Sequence, residues 1–108
     1  MVFANFLVFT LWNNIIMARP IESQLYRELV GSCFQFIERG EREINEIYES
    51  VKHEFPELCD DEYQCPHKPY KSFYNYEWKH RVRTALQRCK IICDNVSYSG
   101  RRGYWIFS

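Results

Sequence analysis

Two sets of side chains in this sequence have types and spacings that could do chemistry. The first is Cys59-x5-Cys65-x-His67, with His80 or a further cysteine as a fourth partner. Thiolate and imidazole are ligands that zinc takes in tetrahedral sites, and ligation could hold an irregular segment by contributing folding free energy. The first gap is wider than the roughly two to four residues usual between paired ligands. The same residues therefore also fit plainer roles: cysteines as small buried hydrophobes, a histidine as an ordinary polar group, or a Cys59–Cys65 disulfide. The second set is Lys79, His80, Arg83, Thr84, Gln87 and Arg88, followed by Arg101 and Arg102. On a helix laid in a DNA major groove, Arg and Lys pair with guanine acceptors and Gln with adenine. Arg88 and Lys90, late in the helix, are expected at phosphate, and Arg101 and Arg102 at the backbone or in a narrow minor groove.

Other chemistry is poorly supported. Asp60, Asp61 and Glu62 are adjacent acids able to take a divalent ion, but consecutive loop carboxylates are more often simply solvated. The sequence has no Gly-rich phosphate loop, nucleophile elbow or metalloprotease helix motif, so the expectation is a protein that is not an enzyme.

The formal net charge of the 108 residues is zero, yet the charge is segregated. Residues 1–65 carry five Lys/Arg against twelve Asp/Glu, while residues 66–108 carry nine Lys/Arg against Glu77 and Asp94. A basic half of this kind is the electrostatic footprint of a phosphate-backbone binder, or, more plainly, a solvated basic surface.

The elements that must position these groups follow from periodicity. Pro20 suits a helix start, and Leu25, Leu29, Cys33, Phe36 and Ile37 recur at helical spacing, which predicts a first helix over 21–38 ended by Gly40. Ile44, Ile47, Tyr48, Val51 and Phe55 predict a second over 41–55, stopped by Pro56. A loop is expected over 57–74. Trp78, Val82, Ala85, Leu86 and Cys89 predict a third helix over 75–90 with Asn75 as N-cap, its basic residues facing outward. Ile91-Ile92-Cys93, a turn-rich stretch over 94–103 and Tyr104-Trp105-Ile106-Phe107 read as an antiparallel hairpin. Gly100 and Gly103 supply backbone freedom at its tip, and Trp105 is expected in the core.

With 46% hydrophobic and 18% aromatic residues, one folded domain is expected over 20–108, preceded by a hydrophobic N-terminal extension over 1–19. The apolar run 2–16 is shorter than the ~20 residues of a membrane-spanning helix, contains Asn5, Asn13 and Asn14, and lacks the basic n-region of a signal peptide. Membrane association is therefore not expected, and Met17 offers an internal start. Five cysteines, an odd number, point to a reducing cytoplasmic setting rather than a disulfide framework.

The order helix, helix, loop, helix, hairpin is an α+β layout, that of a small winged helix-turn-helix with three helices and a β-hairpin wing. Within it, Glu77-Trp78-Lys79-His80-Arg81-Val82-Arg83-Thr84-Ala85-Leu86-Gln87-Arg88 and Gly100-Arg101-Arg102-Gly103-Tyr104-Trp105 resemble the recognition helix and wing of the domain found in Mrr-type restriction endonucleases and related stand-alone archaeal or phage proteins. The resemblance covers about a third of the chain, and the loop before the third helix is longer than in a tight helix-turn-helix. It implies double-stranded DNA binding without cleavage, as a transcription regulator or the DNA-recognition part of a prokaryotic or viral defence system. A single module buries little DNA, so a homodimer or partner subunit is expected. The alternative is a winged-helix protein-interaction module that does not bind DNA.

Overall fold

The computed structural model describes residues 19–66 and 76–108. Residues 1–18, including the apolar run, and 67–75, including His67 and the expected N-cap Asn75, lie outside the described residues. The elements are α1 (Pro20–Ser32), β1 (Gly40–Glu43), α2 (Ile44–Glu54), a 3-10 turn (Pro56–Leu58), α3 (Glu77–Ile92), β2 (Val96–Tyr98) and β3 (Tyr104–Phe107). The three strands form one antiparallel sheet in the order β1-β3-β2. The fold is thus α+β, with three helices and a three-stranded sheet among the described residues.

Helix α1 begins with Pro20 in its first turn, where the missing N–H costs nothing. It stops at Ser32, earlier than the expected 38. Cys33 and Phe34 both adopt positive φ, 51° and 55°, and the Phe34 N–H closes the end on the Leu29 carbonyl at 3.4 Å. Left-handed backbone is costly for a bulky residue, and here the fold compensates by burying Phe34 completely, 6.1 Å from the Phe107 ring. The apolar spacing carried on through Phe36 and Ile37 because a turn repeats at nearly the helical interval. Gly40 therefore ends no helix. With φ of 121° it opens β1, paired with Phe107.

Strand β1 has the sequence Gly-Glu-Arg-Glu, with no apolar alternation to announce it; only its pairing with β3, Arg42 opposite Trp105, makes it a strand. Its last residue, Glu43, caps α2: its carboxylate accepts the Asn45 N–H at 3.0 Å while Glu46 accepts the Glu43 N–H at 2.9 Å. The Ile44 N–H donates to the Gly103 carbonyl at 2.8 Å, joining the start of α2 to the tip of the hairpin.

Helix α3 runs two residues further than expected, taking in Ile91 and Ile92, so the first hairpin strand is Val96–Tyr98 rather than residues 91–93. Gly100 and Gly103 have φ of 89° and 84°, as the hairpin tip requires. Along β3 the alternation is clean: Trp105 and Phe107 are buried, and Ile106 faces out. The core joins Leu25 and Leu29 of α1, Ile47 and Val51 of α2, Trp78, Val82, Ala85, Leu86 and Cys89 of α3, and Val96, Trp105 and Phe107 of the sheet. The expectation of reduced thiols fails at one pair: Cys33 and Cys93 form a disulfide, with Cα atoms 6.0 Å apart, tying the end of α1 to the end of α3. Among the described residues no helix is long and apolar enough to cross a membrane.

Candidate functional site

Helix α3 offers two different sites, one along its later turns and one in its first. With 100° per residue, Arg83, Gln87 and Lys90 share a flank, whereas Arg81 lies about 160° round the helix from Arg83. That flank faces the hairpin and α2. Between them runs a groove of about 390 Å³ lined by Ile44, Tyr48, Arg83, Gln87, Lys90, Tyr98, Arg102, Gly103 and Trp105. Arg83 is held there by a 2.8 Å hydrogen bond from its Nη1 to the Tyr48 hydroxyl, and Tyr48 in turn packs edge-on against Trp78 at 5.7 Å. Among the described residues no carboxylate pairs with Lys90 or Arg102, so the groove keeps its positive charge.

The other expected contact residues are distributed differently. Lys79 points over the rings of Tyr48, Tyr76 and Trp78, with Nζ 5.1 to 5.6 Å from their centroids, a cation–π arrangement beside the groove. Thr84 returns its hydroxyl to the His80 carbonyl at 3.0 Å. Arg88 is exposed and lies outside the groove lining. Arg101 stacks on Tyr104 at 3.6 Å and sits 3.7 Å from Glu41, so part of its charge is balanced within the hairpin region. Arg102 turns into the groove instead. Lys90, expected at phosphate, lines the groove, and so do Tyr48 and Ile44, which the sequence did not mark as contacts. Tyr48 and Ile44 belong to the apolar stripe of α2, whose outer edge only packing exposes.

The first turn of α3 holds a second cluster. Tyr63 to Cys65 runs back against this turn: the Glu77 N–H donates to the Tyr63 carbonyl at 3.1 Å, and Gln64 bridges to Tyr76. This brings the Cys65 Sγ to 3.4 Å from His80 Nδ1, which is also 3.4 Å from Glu77 Oε1. Ligand atoms of all three residues lie within 4.8 Å of one another. Glu77 is fully buried, and Arg81 Nη2 lies 2.9 Å from its Oε2. Burial alone would raise the Glu77 carboxyl pKa, but His80, Cys65 and Arg81 together hold it below the usual carboxylate value.

Of the Cys59, Cys65, His67 set, the described residues bring Cys65 alone into this cluster. Cys59 is buried in the core, its thiol pushed up to about 12 by desolvation, and it is not one of the residues that converge with Cys65. No Cys59–Cys65 disulfide forms; the disulfide among the described residues joins Cys33 and Cys93. His67 lies outside the described residues, and His80, expected at DNA, belongs to the cluster. Its partner Glu77 was legible as Glu77-x-x-His80, since residues three apart share a helix face; the pairing with Cys65 was not.

The adjacent acids are structural. Asp60 accepts from Arg19 at 2.8 Å and from the Glu62 N–H at 2.8 Å, bonds that hold its carboxyl below the usual range. Asp61 accepts from Trp78 Nε1 at 2.8 Å and pairs with Lys52. Asp60 and Asp61 are turned to different neighbours.

No family model matches this sequence, and neither a curated protein nor a solved structure matches it.

Proposed function

We propose that this chain is a winged-helix domain that binds double-stranded DNA, with α3 in the major groove and the β2-β3 hairpin as the wing. The observation that carries the reading is the groove in which Arg83, Gln87 and Lys90 of α3 meet Arg102 of the hairpin. Cations from two separate elements there share one surface, as a ligand with phosphates at regular intervals requires. The element order supports it: a strand between the first two helices that pairs with the last strand props the hairpin beside α3. Arg83 and Gln87 are the side chains suited to guanine and adenine edges, and Lys90 and Arg102 those suited to phosphate. Arg81, paired with buried Glu77, is assigned to the fold, and no catalytic step is proposed.

The test is binding of the whole chain to random duplex DNA over a salt series. Six or more phosphate contacts predict a loss of affinity of about 10³ or more between roughly 50 and 200 mM salt. An Arg83→Ala, Gln87→Ala double variant should lose sequence preference while remaining folded. Salt-independent binding by the parent, or preference retained by the variant, would remove α3 from this role.

A protein partner is the second reading, favoured by one observation: Ile91, Ile92 and Tyr98 are 73%, 50% and 43% exposed at the end of α3 and on the hairpin. An Ile91→Lys, Ile92→Lys variant that binds DNA like the parent or better is the outcome expected for DNA. Loss of a defined oligomer in that variant would favour a protein interface.

A further inference from the structure

We propose that Cys65, Glu77 and His80 form a zinc site that pins the segment before α3 to the first turn of that helix. It does not depend on the DNA reading, because the site uses the opposite end and another face of α3 from the groove.

The argument is one of convergence. Three residues of different donor type, a sulfur, an imidazole nitrogen and a carboxylate oxygen, bring their ligand atoms within 4.8 Å of one another. Two of the separations, Sγ to Nδ1 and Nδ1 to Oε1, are each 3.4 Å. Ligands about 2.0 to 2.3 Å from a tetrahedral ion stand about 3.3 to 3.8 Å apart, so an ion fits among them with little movement. Both neighbours of His80 face the same ring nitrogen. A thiol–imidazole–carboxylate relay for nucleophilic catalysis would use both ring nitrogens, one towards the thiol and one towards the carboxylate, and this arrangement does not. A common focus suits a cation instead.

The surroundings are those of a ligand set held in place. Glu77 and His80 are three residues apart on one helix, and Glu77 is 0% exposed. Arg81 Nη2 forms an ion pair 2.9 Å from Oε2, while Oε1 is the oxygen turned to His80, so Arg81 takes the part played by outer-shell partners in metal sites. Cys65 is delivered by backbone pairing of Tyr63 and Gln64 with Glu77 and Tyr76, independently of its own side chain. Sulfur and nitrogen donors disfavour calcium and magnesium, which take oxygen, and a mixed sulfur, nitrogen and oxygen set is within zinc's range. The three ligands among the described residues leave a fourth tetrahedral position open to a further donor such as water. Binding forms three metal–ligand bonds and releases the Cys65 thiol proton to solvent, with no change of oxidation state.

The test uses the full chain, purified without chelators and with its disulfide intact. It is titrated with Zn²⁺ against a chelator and, separately, with Co²⁺ as a spectroscopic probe. The expected result is one equivalent per chain, with a thiolate-to-Co²⁺ charge-transfer band and the strong visible absorption of a tetrahedral site. Cys65→Ser should abolish the charge-transfer band, and Cys59→Ser should leave it intact. His80→Gln, at a side chain 31% exposed and so tolerant of change, should weaken Zn²⁺ binding by more than the roughly 10–100-fold that an outer-shell change costs. Amide spectra of each variant establish folding, and the His80 arm decides the matter if Cys65→Ser does not fold. Folded parent that shows no thiolate band, a band that survives in Cys65→Ser, or Zn²⁺ affinity unchanged in folded His80→Gln would each overturn the site. None of these readouts involves DNA, so a failed zinc site and a failed DNA reading are separately visible.

Discussion

The two ends of α3 use similar side chains for opposite purposes. At the start of α3, His80 and Arg81 are both turned to Glu77, and His80 also to Cys65, so charge is consumed inside the fold. Two turns later, Arg83, Gln87 and Lys90 meet Arg102 in a groove where Tyr48 is a hydrogen-bond partner of Arg83 and no carboxylate of the described residues pairs with Lys90 or Arg102. Arg81 and Arg83 are two residues apart in an evenly basic stretch, yet one anchors a buried acid and the other lines an exposed groove. The difference teaches that on an amphipathic helix the partner across the interface, more than the residue type, decides whether a cation holds the fold together or faces a ligand.

The largest effect should come from loosening the helix that both regions share. Leu86 is fully buried on the core face of α3, and Leu86→Ala should cost about 2–5 kcal/mol of stability, read from the urea midpoint. If the midpoint barely moves, α3 is not packed as described and the contrast between its ends loses its basis. Next is the Cys33–Cys93 bond, which ties only the far end of α3. Chain entropy for a separation of 60 residues gives about 4 kcal/mol, so a Cys33→Ser, Cys93→Ser variant should lose stability of that order. Amide exchange should then rise in the last turn and the hairpin before it rises in the first turn; uniform acceleration would show that the two ends do not behave separately.

The contrast is sharpened directly by Arg83→Ala against Arg81→Ala. The first should cost about 1–3 kcal/mol in DNA binding. The second should leave the affinity of the folded protein unchanged while lowering stability, since it strands the buried carboxylate of Glu77. Equal losses of DNA affinity would erase the distinction. Arg102→Ala should reduce the slope of log affinity against log salt by about 1. The smallest effect is expected at Asp60, whose carboxyl is held below its usual range by Arg19 and the Glu62 N–H. A depressed folded-state pKa adds stability that is present above the unfolded value of 3.8 and lost as pH falls through the folded one, so Asp60→Asn should slightly flatten the acid limb of the stability profile. An unchanged acid limb would show that the Arg19 contact contributes nothing to folding.

Where a residue's fate depended on its neighbours in sequence, it could be read without coordinates. The apolar spacing of Trp78, Val82, Ala85, Leu86 and Cys89 dictates the buried face of α3, Pro20 and Pro56 bound α1 and α2, and Gly100 and Gly103 permit the hairpin tip, because these rest on local periodicity and backbone sterics. What depended on distant partners could not. Strand β1 is polar and exists through pairing with residues more than sixty positions away. Cys65 meets His80 because two short backbone contacts fold its segment onto α3, and Cys33 meets Cys93 because α1 and α3 pack side by side. Sequence alone thus determined which faces are apolar and where the chain turns; tertiary structure decided which polar groups meet, since that depends on the angle and register at which those faces are buried together.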